Sequence, residues 1–151
     1  MKIAIANAHA ATEAKVRVRT WLEAQGHDVR DLGTHADQST DYPDYAHAVA
    51  SLVDSGEVES GVLLCGTGIG MCISANRHAG IRAALCHSAE PARMTRLHND
   101  ANILCLGARV IDEATMAACV ETFFATDFEG GRHARRVAKI ELAGEGVEGG
   151  S

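Results

Sequence analysis

Short apolar runs alternate with longer stretches in which apolar and polar residues recur at helical spacing, and this alternation continues from residue 2 to about residue 142. The runs Lys2–Asn7, His27–Leu32, Gly61–Cys65, Ile81–Cys86 and Asn102–Leu106 have the length and apolar character of β-strands. Between them, Glu13–Gln25, Tyr42–Asp54, Ile69–Asn76, Ala89–His98 and Asp112–Ala125 read as helices, and Gly131–Leu142 as a last one. In the first helix Val16, Val18, Trp21 and Leu22 form the apolar side, and Gly26 supplies a stop. Pro43 falls in the first turn of the second helix, where proline is tolerated. The acidic start at Asp112 suits the positive end of a helix dipole.

Strand–helix alternation over the whole length predicts a parallel sheet covered on both faces. The expected fold is therefore α/β: a three-layer α/β/α sandwich with a five-stranded parallel sheet, Rossmann-like (flavodoxin-like) and doubly wound. No repeat or linker divides the chain, so residues 1–143 are expected to form one domain, with 144–151 a glycine-rich flexible tail. In such sheets ligands bind at the carboxyl ends of the strands. Those ends are Asn7–His9, Cys65–Gly70, Cys86–His87 and Gly107–Arg109.

The chain has 151 residues and a net charge of −6, which opposes nucleic-acid binding but permits a local arginine cluster for a small anion. No apolar run is long enough to cross a bilayer, and the first residues lack the layout of a secretion signal, so a cytoplasmic protein is expected. Five cysteines without a CxxC pair predict reduced thiols, with Cys72, Cys86, Cys105 and Cys119 packed in the core. The Cys and His spacings match no zinc pattern, so no structural metal is expected.

The sharpest local feature is Cys65-Gly66-Thr67-Gly68-Ile69-Gly70. An apolar strand delivers Cys65 to a turn whose glycines let backbone N–H groups approach a ligand, and the following helix adds a positive dipole. Such surroundings attract anions and favour a cysteine thiolate. A tight strand-to-helix turn alone explains the glycines equally well. The first turn, Ala6–Ala11, contains no glycine, which disfavours a dinucleotide or flavin. Arg132 and Arg136 stand four apart and can share a helix face to clamp a phosphate, although a solvated basic face is the commoner origin of this spacing. His98 can shuttle a proton near neutral pH and Asn99 can hydrogen-bond sugar hydroxyls, although His98-Asn99-Asp100 also suits a simple capping turn.

Taken in order, DYPDYA (Asp41–Ala46), CGTGIGM (Cys65–Met71), GIRAALCH (Gly80–His87), HNDAN (His98–Asn102), LGARVI (Leu106–Ile111) and EGGRHARRV (Glu129–Val137) resemble one family. It is that of ribose-5-phosphate isomerase B, within the wider group that includes galactose-6-phosphate isomerase subunits. The resemblance runs from Met1 to about Ile140. It implies an enzyme that interconverts an aldose phosphate and its ketose through a cis-enediolate, with ribose 5-phosphate and ribulose 5-phosphate as the first expectation. The alternatives are a different four- to six-carbon sugar phosphate, or a non-catalytic phosphosugar-binding homologue or partner subunit.

By the same resemblance Cys65 is the proton-transferring base, Thr67 belongs to the same catalytic turn, and His98 opens the sugar ring. Gly66, Gly68 and Gly70 supply oxyanion-binding amides, Asn99 contacts the sugar, Tyr42 lines the pocket, and His9, Arg109, Arg132 and Arg136 hold the phosphate. Some relatives use a glutamate at the position of Met71 as base, a role methionine cannot take. The resemblance implies no metal or organic cofactor. It implies a homodimer or homotetramer, with the site completed across the dimer interface.

Two stretches depart from the family pattern. The family's Gly-Cys-Asp-His-Ala-Gly is here Ala6-Asn7-Ala8-His9-Ala10-Ala11, so a hydroxyl-binding carboxylate is replaced by Ala8. Its loss should weaken or redirect sugar recognition unless Asn7 turns inward as a substitute. After His87 the chain reads Ser88-Ala89-Glu90-Pro91 where relatives carry Asp-Thr-Tyr-Ser.

Overall fold

The computed structural model describes residues 1–34 and 40–142. The expected tail 144–151 lies outside the described residues. Strands β1 (Lys2–Asn7), β2 (Asp28–Asp31), β3 (Ser60–Cys65), β4 (Ala83–Leu85) and β5 (Ile103–Gly107) form one sheet in which every pairing is parallel. Helices α1 (Thr12–Ala24), α2 (Tyr42–Ser55), α3 (Ile69–Ala75), α4 (Ala89–Asn99), α5 (Glu113–Ala125) and α6 (Arg132–Ala138) connect and follow them. A turn of 3-10 helix at His9–Ala11 precedes α1.

Side chains alternate across a strand, so β1 feeds two cores. Ile3 and Ile5 pack with Val18, Leu22, Met116 and Phe123 on the α1/α5 face. Ala4, Ala6 and Ala8 pack with Val49, Leu63, Cys65 and Met71 on the α2/α3 face. β3 and β5 are buried along their whole length, as expected of central strands covered on both sides.

The strand order is β2-β1-β3-β5-β4. The doubly wound sandwich is as expected, but the last two strands are exchanged relative to the flavodoxin-like order 2-1-3-4-5. β5 therefore lies beside β3, and Gly107 is the register partner of Cys65. The turn after β5, rather than the end of β4, borders the cysteine.

Two expectations for the helices change. On α1, Val16 is 54% exposed, and Lys15 is fully buried with Val18 and Leu22. Residues 15, 18 and 22 share one helix face, and Lys15 is tolerated there because its Nζ lies 2.9 Å from Asp31 Oδ2 and donates to the Thr34 carbonyl at 3.2 Å. The last helix was expected to reach Leu142 but ends at Ala138. Beyond it the chain turns back, and Glu141 accepts the Gly80 N–H at 3.1 Å beside Arg82. Leu142 is exposed, and Ile140 is about half exposed at the rim of a hollow lined by Ile81, Ala83 and Ala101. Among the described residues no helix is long and apolar enough to cross a membrane.

Candidate active site

β3 carries Cys65 to the carboxyl edge of the sheet, where the thiol is largely buried. The Gly68 N–H donates to its Sγ at 3.1 Å, which fixes the sulfur against the turn. Gly68 adopts φ +80°, and a Cβ there would collide with the backbone of Leu106 and Gly107. Only glycine lets the turn close at this point. The Thr67 hydroxyl is held in the turn, accepting the Ile69 N–H at 3.2 Å.

The neighbouring elements converge on this turn. Ala108 N–H donates to the Cys65 carbonyl at 2.8 Å, and Arg109 N–H to the Gly66 carbonyl at 2.9 Å. These bonds bring the Arg109 guanidinium over Gly66, close enough that a Cβ on Gly66 would touch it. Tyr42, at the start of α2, lays its ring against Gly70, where a side chain would displace it. His9 follows β1 in the 3-10 turn and borders an open hollow of about 330 Å³ shared with Thr12, Arg17 and Ala108. Its Nδ1 is buried without a hydrogen-bond partner among the described residues. Cys65, Thr67, Gly66, Gly68, Gly70, Arg109, Tyr42 and His9 therefore gather at one end of the sheet.

Ala8 lies on the same face of β1 as the Ala4–Ala6 series, in one cluster with Cys65 and the buried Met71. Asn7 follows the opposite parity. Its Nδ2 donates to the Ala8 carbonyl at 2.9 Å and to Thr12 Oγ1 at 3.3 Å, and its Oδ1 is turned to Gly33. It is fully buried on the α1 side and does not substitute for the carboxylate missing at Ala8.

The remaining candidates are elsewhere. α4 starts beyond the carboxyl end of β4 and carries the chain back about 15 Å, given a rise of about 1.5 Å per residue. His98 and Asn99 at its end thus lie near the amino end of the sheet. Four steps of β5 separate Ile103 from Gly107, about 13 Å along the strand. α6 packs on α4, and the Glu129 N–H donates to the Leu97 carbonyl at 3.1 Å, which brings Arg132 and Arg136 to the same region. Both arginines are exposed and make no ion pair among the described residues. The His98 ring stacks on His133, with centroids 4.3 Å apart and planes 18° apart, and His133 Nε2 lies 3.3 Å from Glu129 Oε1. Within one chain, these four residues do not meet Cys65. The sequence reading assigned no role to Glu129 or His133; their separation by four residues was the available signal.

The cysteines also need one correction. Cys86, Cys105 and Cys119 are buried as expected, but Cys72 is only half-buried. A hydrogen bond from the Cys105 thiol holds the Cys72 thiol down to about 7, and Asn76 Nδ2 adds a weaker donor 3.6 Å from the sulfur. Burial, then the neighbouring Cys119 and Cys72, push Cys86 up to about 12. A depressed thiol gains its reactive thiolate as pH rises through 7 rather than through the usual value of about 8.5. Alkylation by iodoacetamide, mapped by peptide mass spectrometry, is expected to modify Cys72 with a rate that rises through pH 7 and levels off above about pH 8, and to leave Cys86 unmodified. A Cys72 rate still climbing steeply between pH 8 and 9 would refute this.

The family model for ribose/galactose isomerases matches residues 3–140. Ribose-5-phosphate isomerase B of Escherichia coli is 42% identical over 139 residues, covering 92% of this chain and 93% of that protein. Among solved structures, ribose-5-phosphate isomerase B of Clostridium thermocellum superposes with a TM-score of 0.91 at 47% identity, covering 93% of this chain and 95% of that one. The Mycoplasma genitalium enzyme with bound ribulose 5-phosphate gives 0.88 at 38% identity, covering 92% and 93%. On a match that spans nearly its whole length, the chain belongs to the ribose/galactose isomerase family of sugar-phosphate isomerases.

Proposed function

We propose that this isomerase interconverts ribose 5-phosphate and ribulose 5-phosphate, with Cys65 as base, in a site completed by a second copy of the chain. The observation that carries the reading is the Cys65 sulfur, seated at the end of a central strand against an amide-lined turn with a guanidinium alongside. The bound ribulose 5-phosphate of the M. genitalium relative supports the choice of sugar.

In this reading the Cys65 thiolate removes the proton from the carbon beside the carbonyl. The cis-enediolate oxygens face the N–H groups of the Gly66–Gly70 turn, where oxyanion donors are worth several kcal/mol. The proton then returns to the adjacent carbon. Met71 is a buried thioether and has no basic lone pair to offer. Thr67 stays at the turn, and Tyr42 and His9 bound the pocket beside it. Arg109 meets the phosphate from the Cys65 side. His98 opens the ring, Asn99 contacts the sugar, and Arg132 and Arg136 close on the phosphate, all four supplied by the second copy. Ile69 and Ile73, four apart on α3, and Tyr42 are exposed beside the Cys65 turn and present an apolar surface for that copy to cover.

Ala8 favours a second reading, a sugar phosphate that places no hydroxyl against this apolar wall. A panel of four-, five- and six-carbon aldose phosphates decides between them. The first reading expects the highest kcat/KM on ribose 5-phosphate. Turnover of another sugar alone supports the second, and binding without any turnover refutes both. Restoring the carboxylate sharpens the comparison. A charged hydrogen bond is worth about 1.5–3 kcal/mol, so Ala8→Asp is expected to raise kcat/KM on ribose 5-phosphate about tenfold or more. It is also expected to lower the melting temperature, since Ala8 is buried. An unchanged or reduced kcat/KM on that sugar would overturn this account of residue 8.

A further inference from the structure

The spacing of Cys and His in the chain predicts no metal site, yet the fold builds a cluster of metal-binding side chains from two distant stretches. His98 comes from the end of α4, and Glu129 and His133 come from the approach to α6 and its first turns. One ligand-capable atom from each lies within 4.8 Å of the other two. Ligands bound about 2.0–2.1 Å from a tetrahedral Zn²⁺ stand roughly 3.3 Å from one another. The His133 Nε2 to Glu129 Oε1 distance is already 3.3 Å. The other ligand atoms stand no more than 4.8 Å apart, and the partly exposed His98 ring must turn out of its stack on His133 for both imidazoles to face one ion, with Glu129, 55% exposed, free to follow. His133 is the anchor, with its side chain 7% exposed.

The donor chemistry narrows the ion. Two imidazoles and one carboxylate suit Zn²⁺, Co²⁺, Ni²⁺ or Cu²⁺, whereas Mg²⁺ and Ca²⁺ prefer all-oxygen shells. Glu129 supplies the negative charge. The nearby Arg132, Arg135 and Arg136, exposed in the single chain, oppose a cation and set a limit on its affinity. Three protein ligands leave a fourth position for water.

We propose that His98, Glu129 and His133 form a site for a divalent transition-metal ion such as Zn²⁺, and that its occupancy inhibits the isomerase by taking His98 out of proton transfer. The inhibitory half rests on the ring-opening role proposed for His98; the site itself does not. A metal bound through an imidazole nitrogen occupies the lone pair that would otherwise carry the proton.

Co²⁺ titrated into the purified, chelator-treated protein in a non-coordinating buffer tests the site, because its absorption spectrum distinguishes nitrogen and oxygen ligands from thiolates. The expected result is one ion per chain, no thiolate charge-transfer band, and unchanged binding in Cys65→Ser. Glu129→Gln alters an exposed side chain and is expected to weaken Co²⁺ binding at least tenfold, as is His133→Gln. In parallel, Zn²⁺ is expected to inhibit turnover, and Glu129→Gln to require at least tenfold more Zn²⁺ for the same inhibition. A thiolate band, substoichiometric binding, or undiminished affinity in Glu129→Gln overturns the site. Stoichiometric, Glu129-dependent binding that leaves turnover untouched overturns the inhibition and, with it, the role assigned to His98.

Discussion

Cys65→Ala is expected to lower kcat by about 10³-fold or more while leaving the protein folded. A positioned base contributes about 10²–10⁴-fold, and neither Met71 nor Cys72, the other sulfur-bearing residues of the segment that follows, can share the work. Met71 is buried and carries no ionisable group. The thiol of Cys72 points away, donating to the Ala83 carbonyl at 3.4 Å near the sheet edge. Alanine removes one sulfur from a strand whose backbone pairing with β1 and β5 is untouched, so the fold survives. The phosphate is held by guanidinium and imidazole groups in this reading, so KM should move far less than kcat. That split marks the loss of an interaction with the reacting atoms rather than with the substrate's anchor. Cys65→Ser is expected to be nearly as inactive, since a serine hydroxyl is a far weaker base than a thiolate at neutral pH. The rate of aldose–ketose conversion, together with exchange of solvent deuterium into the sugar, reads the effect directly. Turnover within tenfold of the unmodified protein would remove Cys65 from the chemistry.

Two inactive variants mixed together are expected to recover activity. In one chain His98 lies near the amino end of the sheet and Cys65 at its carboxyl end. If each site takes Cys65 from one copy and His98 from the other, a Cys65→Ala/His98→Ala mixed dimer contains one site with both residues intact and one with neither. A two-fold interface makes the two sites equivalent before mutation. Random exchange between equal amounts of the two variants produces mixed dimers as half the population, each with one working site of two. About a quarter of the unmodified activity should return on mixing, against a near-zero sum for the separate variants. Subunit exchange can be forced by mild denaturation and refolding, and mixed dimers isolated with two different affinity tags. If the purified mixed dimer is as inactive as its parents, the two residues do not act across an interface, and the division of labour proposed for the site fails.

The metal site, the Cys72 reactivity and the recovery of activity on mixing share one origin, because each depends on contacts between residues far apart in the chain. Local sequence signals did determine the elements. The period-2 and period-3.6 patterns placed five strands and six helices with most boundaries within a residue or two, since a strand or helix is selected by its own side chains and by caps such as Asp112, which accepts the Thr115 N–H at 2.8 Å. The Cys65–Gly70 turn was legible for the same reason: its glycines answer to a local backbone need, with Gly68 in the left-handed region. The motifs also identified the family.

What lay beyond the sequence was decided by packing. The exchange of β4 and β5 put Arg109 beside Cys65 and moved Cys86 towards the sheet edge, and nothing in either strand's own pattern distinguishes a central from an edge position strongly enough to reveal it. Lys15 reads as a solvated charge and is buried because Asp31, on a different element, waits for it. Asn7 could have faced either side until the register of β1 placed its odd-numbered positions against α1. His98 and Cys65 are both legible as reactive side chains, but the fold of one chain sets them at opposite ends of a sheet and brings His133 to His98 instead. Side-chain chemistry and local backbone preference are written residue by residue; which reactive groups meet depends on long-range contacts, and those exist only once the layers have packed.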